Sequence, residues 1–389
     1  MKKIIFILIV NISFLFAQNS YIKNFPDVSK FQNSAHHWYD IYAEDNVIHP
    51  LPERPRYKPE NVKEIADNIL LYQKENGGWP KNYDMLAILT EEQKDSLRKA
   101  KNQLNTTFDN WTTHTQVEYL AQAYNLIHDE KYKEACLKGI DYILSAQYPN
   151  GGWPQYYPDT SGYRKYITFN DGVMIGIMKV LYNIVQNKPH YSFVDNLRRE
   201  KVKAAFEKGL ECILKTQIKD NGKLTAWPQQ ADNVGLFPQW ARAFEPPCIC
   251  NGESAEVVLF LMDLENPSNE IINAVQSAVK WFEDSKIKGI KIVEKKIEPK
   301  KYYYSTFDYD RIVVEDSTAP PIWTRYYELK THRPMFCNRN KKIVYSLAEV
   351  EHERRAGYTW YTYAPQEVLD KYPDWQKKYA PNKNVLEKR

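Results

Sequence analysis

Apolar positions recur at helical spacing in paired segments along most of the chain. Val62, Ile65, Ala66, Ile69 and Leu70 make one stripe; Cys136, Ile140, Ile143 and Leu144 make a second; Val202, Phe206, Gly209, Leu210 and Ile213 make a third. Spacings of three and four residues place each set on one helix face. A second helix is predicted after each: Val117, Leu120, Tyr124 and Ile127; then Val173, Ile177, Val180, Leu181 and Ile184; then a compact apolar stretch from about Ser254 to Leu264. Ile271, Ala274, Val275, Ala278 and Phe282 begin a further pair.

The loops inside these pairs repeat as well. Ile69-Leu-Leu-Tyr-Gln73 leads to Asn76-Gly-Gly-Trp-Pro80, and Ile143-Leu-Ser-Ala-Gln147 leads to Asn150-Gly-Gly-Trp-Pro154. Ile213-Leu-Lys-Thr-Gln217 leads, through an insertion, to Asn221-Gly222 and Trp227-Pro228. Gln73, Gln147 and Gln217 are thus 74 and then 70 residues apart. Gly and Pro stop each helix, while the Gln is suited to bracing the chain reversal and the Trp to burial beneath it. Helical hairpins at this period predict an all-α fold, an incomplete α/α toroid over about residues 60–285 with one helix of each pair on the inside. Beyond about Ile290 the helical period gives way to Tyr-rich extended segments and Pro320-Pro321, returning to helix near Ser346 to Arg355. This C-terminal segment, about 286–389, is expected to fold across one end of the same single domain and supply part of the site.

At the other terminus, Lys2 and Lys3 precede an apolar run from Ile4 to Ala17, too short to span a bilayer comfortably. Residues 1–17 read as a signal peptide and the rest, 18–389, as an exported protein, periplasmic or secreted, with an uncleaved anchor as the alternative. Loss of Lys2 and Lys3 takes the formal charge from +4 to +2. Such a balance argues against a nucleic-acid binder, so a polyanionic partner would have to be held by a local cluster. Five unevenly spaced cysteines form neither a disulfide framework nor a zinc pattern. A monomer without stable membrane insertion is expected.

The chemistry gathers just ahead of the second helix of each hairpin, where Thr107-Phe-Asp109-Asn110, Thr168-Phe-Asn170-Asp171 and Cys250-Asn-Gly-Glu253 stand. In stacked antiparallel hairpins these loops share one rim. Asp and Asn are favoured helix caps. Capping, however, needs one acceptor per helix, whereas the first two loops each present an adjacent Asp and Asn, in opposite order. Carboxylate and amide oxygens together suit Ca²⁺.

With these loops in view, the chain resembles polysaccharide lyase family ten, the pectate lyases. The resemblance runs from about Ile69 to Tyr363. It is carried by Gly77-Gly-Trp-Pro-Lys-Asn82, Thr107-Phe-Asp-Asn110, Gly151-Gly-Trp-Pro-Gln155, Ile167-Thr-Phe-Asn-Asp171, Ala241-Arg-Ala-Phe-Glu-Pro-Pro247 and Trp323-Thr-Arg-Tyr-Tyr327. It implies Ca²⁺-dependent cleavage of polygalacturonate (pectate) by anti-β-elimination, with Asp109, Asn110 and Asp171 as metal ligands. It implies a catalytic arginine at Arg242, and binding of substrate carboxylates by Arg325, Arg339 and Lys81. An arginine base demands desolvation and nearby positive charge, together with an alkaline optimum, because a free guanidinium stays protonated.

Three other readings compete. Paired carboxylates, Asp109 with Asp171 or Glu253, could serve a glycoside hydrolase. Gln73 to Trp79 and Gln147 to Trp153 share the Q-x-x-x-G-x-W spacing of triterpene cyclases, although no Asp-rich initiation motif accompanies it. A noncatalytic sugar-binding protein would hold pectate without releasing product.

Overall fold

The computed structural model describes residues 25–387 apart from 42, 44 and 304. The expected signal peptide, residues 1–17, lies outside the described residues. Among those described, no helix is long and apolar enough to cross a membrane.

Eleven α-helices are found among the described residues. They are α1 (Gln32–Asp40), α2 (Val62–Tyr72), α3 (Glu91–Lys99), α4 (His114–Ile127), α5 (Glu130–Ser145), α6 (Val173–Val185), α7 (Asn196–Thr216), α8 (Asn251–Met262), α9 (Asn269–Ser285), α10 (His352–Gly357) and α11 (Ala364–Tyr379). Helices α2, α4, α6, α8 and α11 pack in succession, each on the next, while α5, α7 and α9 form a second row behind them. The pairs α4 with α5, α6 with α7 and α8 with α9 pack against each other. Sequence pattern explains the division. Helix α6 buries Val173, Met174, Ile175, Ile177, Met178, Val180, Leu181 and Ile184, covering nearly its whole circumference, so it can only sit inside. Helix α7 buries a single stripe, including Val202, Phe206 and Ile213, and leaves Lys201 and Lys203 in solvent.

The repeat seen in the loops is a repeated set of contacts. The indole N–H of Trp79 donates to Ile69 O at 2.8 Å, that of Trp153 to Ile143 O at 2.8 Å, and that of Trp227 to Ile213 O at 2.7 Å. A fourth member, Trp323, donates to Phe282 O at 2.9 Å. Each indole thereby satisfies a carbonyl near the end of the preceding helix while burying a large ring. Gln73, Gln147 and Gln217 each give their amide N–H to two carbonyls, one in their own loop and one in the next helix of the outer row. Gly77 and Gly151 adopt φ of +92° and +91°, where a Cβ would lie 2.4 and 2.0 Å from the carbonyl oxygens of Lys138 and Lys208. Only glycine satisfies both the dihedral and the close approach.

The expectation of an all-α toroid is wrong. The described chain contains a long antiparallel hairpin, Ile290–Lys301 against Thr306–Glu315, with a break in register between Lys296 and Lys300. A four-stranded sheet joins Ile343–Val344, Pro334–Cys337, Tyr326–Tyr327 and Ile249–Cys250 in that order, and Trp323–Thr324 pairs with Tyr361–Thr362. The architecture is a helical core with a β-structured C-terminal region. The hairpin follows from β-branched and aromatic residues set among lysines, including Ile290, Ile292, Val293, Ile312, Val313 and Val314. The short strands are joined by pairings between distant segments, which local periodicity does not express.

Other differences are local. The helix expected near Ser346 to Arg355 is a 3₁₀ turn, Leu347–Glu349, followed by the short α10. Helices α1, α3 and α11 were not anticipated. Helix α3 starts in a capping box, in which Thr90 and Gln93 exchange side-chain and backbone hydrogen bonds at 3.2 and 3.0 Å. The five cysteines are buried and unpaired.

Candidate active site

The loops ahead of α4 and α6 hold their Asp and Asn residues in backbone conformations that are costly for residues with a Cβ. Asn110, Trp111, Thr113 and Asp171 have φ of 51°, 60°, 70° and 52°, and Asn82 alongside has 62°. Left-handed residues of this kind cost about 1 kcal/mol or more each, so surrounding bonds must impose them. Those bonds are present. Trp111 N–H donates to Asp171 O at 3.0 Å, Phe108 N–H to Gln155 O at 3.0 Å, and Ser34 Oγ to Asn110 O at 2.9 Å. Asn110 Nδ2 donates to Asn82 Oδ1 at 2.7 Å. The N-cap residues of α4 and α6 are Thr113 and Gly172, with no side-chain cap. Asp109, Asn110 and Asp171 therefore do not act as helix caps.

Freed from capping, these side chains line one open cavity of about 730 Å³. Asp109 and Asp171 come from different hairpins, line the same cavity, and each carboxyl group feels the charge of the other. Asp109 is further held by an ion pair with Lys81 and by Gln155 Nε2 at 2.9 Å. Burial pushes the Asp109 carboxyl up, but Lys81 and then Arg242 more than offset it and hold the group below its usual range. Burial, reinforced by the Asp109 charge, pushes Asp171 up, Arg242 and Arg325 notwithstanding. Two carboxylates facing each other with unequal proton affinity is the result of desolvation and like charge.

Guanidinium groups complete the wall. Arg325, on the loop between Trp323–Thr324 and Tyr326–Tyr327, donates to Glu253 Oε1 at 2.5 Å and to Asn170 Oδ1 at 2.8 Å, and lies 4.7 Å from the centre of the Tyr358 ring. Arg242 donates to Glu245 Oε1 at 2.5 Å, yet 42% of its side chain stays accessible to the cavity. Burial works against its charge, but Glu245 outweighs that and holds the guanidinium well above its ordinary pKa. Arg339 grips Glu353 through two bonds of 2.9 and 3.0 Å, and Arg354 shares the same carboxylate. Arg242, Arg339 and Arg354 stand 5.2, 5.1 and 4.8 Å from the centre of one buried ring, Phe244. An aromatic face stabilises such clustered cations against their mutual repulsion.

All seven residues singled out in the sequence, Lys81, Asp109, Asn110, Asp171, Arg242, Arg325 and Arg339, line this cavity. Lys81 is engaged by Asp109 and stands over the Tyr156 ring at 5.2 Å. Several lining residues went unrecognised: Tyr358, Glu353 and Arg354 behind the guanidiniums, His36, His37 and Asp40 on α1, and Phe307, Tyr309 and Arg311 on the long hairpin. Their distance in sequence from the motifs gave no signal for the first two groups. Alternation at Phe307, Tyr309 and Arg311 was the one available clue for the third.

The donor set suits a hard cation. Among the described residues no three His, Cys, Asp or Glu side chains gather in a metal-binding group. Calcium, however, also accepts amide and carbonyl oxygens, and facing buried carboxylates have an electrostatic cost that a divalent cation would remove. Asp109 and Asp171 with Asn110 fit that description.

A pocket that combines paired acids with several guanidiniums is suited to anionic ligands. A single-substitution variant of a family 10 polysaccharide lyase from Cellvibrio cellulosa, in complex with trigalacturonic acid, is 27% identical to this chain over 83% of it and 97% of the lyase, at a TM-score of 0.67. Another structure of a family 10 polysaccharide lyase from that organism gives 27% identity over 82% and 95%, also at 0.67. A search among curated proteins gives no match. The profile of the pectic acid lyase family matches residues 73–369, and the chain belongs to this family of polysaccharide lyases.

Proposed function

We propose that the protein cleaves polygalacturonate by calcium-assisted anti-β-elimination, releasing oligogalacturonates with an unsaturated end. One observation carries the reading: Asp109 and Asp171, brought face to face from separate hairpins, share a cavity with Arg242, Arg325 and Arg339. Calcium, when bound by Asp109, Asn110 and Asp171, would supply Lewis-acid stabilisation to the substrate carboxylate. Arg325 and Arg339 offer planar forks to uronate carboxylates, a geometry lysine lacks. Withdrawal of charge into that carboxylate acidifies the hydrogen at C5. As that proton is taken, a C4–C5 double bond forms in the same ring and the bond from C4 to the glycosidic oxygen breaks, the oxygen leaving with the neighbouring sugar as its new reducing end and taking a proton from water. Lys81 serves as the counter-ion of Asp109 and reaches uronates only as far as that pairing allows.

Arg242 is assigned the removal of the C5 proton. Its pairing with Glu245 opposes the task, because it favours the charged form. Activity should accordingly climb with pH as the neutral fraction grows. De-esterified polygalacturonate incubated with the protein and calcium should develop the ultraviolet absorbance of an unsaturated uronate, and chelator should stop it. Saturated reducing ends released without calcium would establish hydrolysis instead.

A further inference from the structure

Outside the cavity, the strand Ile290–Lys301 carries five lysines, 291, 295, 296, 300 and 301, against Glu294 and Glu298, a net of +3 on twelve residues where the whole chain has +4. Among the described residues its only strand partner is Thr306–Glu315, the strand that packs on α10, so its other edge is left unpaired. Register fixes where the charge lies. Lys296, Lys300 and Lys301 are cross-strand neighbours of Tyr309, Phe307 and Thr306, which all line the cavity. Directly opposed residues share a sheet face and lie about 5 Å apart, so Lys296 and Lys300 lie on the face of Tyr309 and Phe307, while Lys301, opposite Thr306 on the other face, sits at the tip of the hairpin beside the same wall. The three lysines are exposed and have no ion-pair partner among the described residues.

The hairpin is fixed in place. Tyr302 OH meets His352 Nδ1 at 2.7 Å, Tyr309 OH donates to Ala356 O at 3.2 Å, and Arg355 binds Asp310 at 2.6 and 2.7 Å. These bonds tie it to α10, the helix that carries Glu353 and Arg354 of the site.

We propose that Lys296, Lys300 and Lys301 form a cationic lip on which the polygalacturonate chain rests where it leaves the cleft. The identity of the occupant rests on the lyase reading; charge complementarity and continuity with the cavity supply the rest. A cleft of this size takes only a few sugars, while the polymer carries a carboxylate on every ring. Each exposed charge contributes little alone, so the lip acts by summing weak, salt-sensitive attractions along the chain.

The test is affinity electrophoresis in gels containing polygalacturonate, at low and high salt, alongside steady-state cleavage of polymer and of trigalacturonate. The triple variant Lys296→Gln/Lys300→Gln/Lys301→Gln should be less retarded than the parent at low salt and equal to it at high salt. Its KM for polymer should rise about three- to tenfold, while trigalacturonate kinetics are unchanged. A control triple on the outer helix, Lys201→Gln/Lys203→Gln/Lys208→Gln, should behave as the parent. Equal retardation of the lip variant and the parent, or equal loss in both triples, overturns the lip. Lysines on a free strand edge also discourage pairing with another sheet. If that is their duty, the lip variant self-associates with polymer binding intact, which overturns the proposal as well. Absence of unsaturated product from the parent would sink the lyase reading while the gels still report on the lip.

Discussion

The helical hairpins supply the paired acids of the site and the β-structured C-terminal region most of its guanidiniums, by different means. The hairpins deliver the acids through repetition: the same Gln, Gly and Trp contacts recur, and each loop holds its Asp and Asn by bonds to its neighbours, such as Trp111 N–H to Asp171 O and Asn110 Nδ2 to Asn82 Oδ1. Arg325, from the C-terminal region, is placed by groups 155 and 72 residues away in sequence, Asn170 and Glu253. Arg339 and Arg354 depend on Glu353 and on a ring, Phe244, from an earlier loop. A charged site assembled this way keeps its components apart until the chain is folded. Its acids and cations then meet where water is partly excluded and their interactions are strong.

The comparison can be broken most severely at Arg242. Arg242→Lys keeps a positive charge but loses the planar fork, and kcat should fall about 10³-fold while oligogalacturonate binding, measured by calorimetry, persists. Near-parental turnover would remove Arg242 from proton transfer. On the acidic side, Asp171→Ala leaves Asp109 without its facing carboxylate, and the calcium concentration for half-maximal activity should rise about 10²-fold. An unchanged calcium requirement would place the metal elsewhere.

Gly151→Ala probes the scaffold without touching the cavity. A Cβ there meets the Lys208 carbonyl at 2.0 Å in a left-handed backbone, so stability should fall by about 2–4 kcal/mol in denaturant titration. Turnover per folded molecule should stay near parental, as expected if the repeats build the frame rather than perform the chemistry.

The smallest expected effect is the most discriminating. Glu245 holds the Arg242 guanidinium charged, so Glu245→Gln should lower its pKa. The neutral fraction at a given pH then increases, and the rising limb of the pH–rate profile should move to lower pH by about one unit. If Arg242 acts only as a cationic clamp, the limb will not move that way and activity will simply decline.

Much of the helical half was legible in the sequence. Helices α2, α4, α5, α6, α7, α8 and α9 were marked by apolar stripes, because a helix face expresses burial within four residues. Asp109 and Asp171 were legible because adjacent Asp and Asn recur at matched loop positions. The same logic failed for Trp323, whose indole makes the same kind of bond as its three counterparts but which follows the inserted hairpin, outside the regular spacing. It failed too for the fold class: the long hairpin, Ile290–Lys301 with Thr306–Glu315, read only as extended chain without its pairing, and strands of two to four residues leave almost no periodic trace.

What the sequence by itself determined is therefore the set of helices α2 and α4 to α9, their bracing Gln and Trp residues, and the candidate acids and arginines; which helices pair, α4 with α5, α6 with α7 and α8 with α9 rather than each with the helix after its Gly-Trp loop, came from the structure. Tertiary structure alone decided which partners these groups have: Glu245 behind Arg242, Glu253 and Asn170 behind Arg325, Lys81 on Asp109, and the lysine-bearing hairpin beside the cavity. The reason is physical. Secondary structure responds to neighbours a few residues away, whereas the charge state of a side chain responds to whatever lies within several ångströms, however distant along the chain.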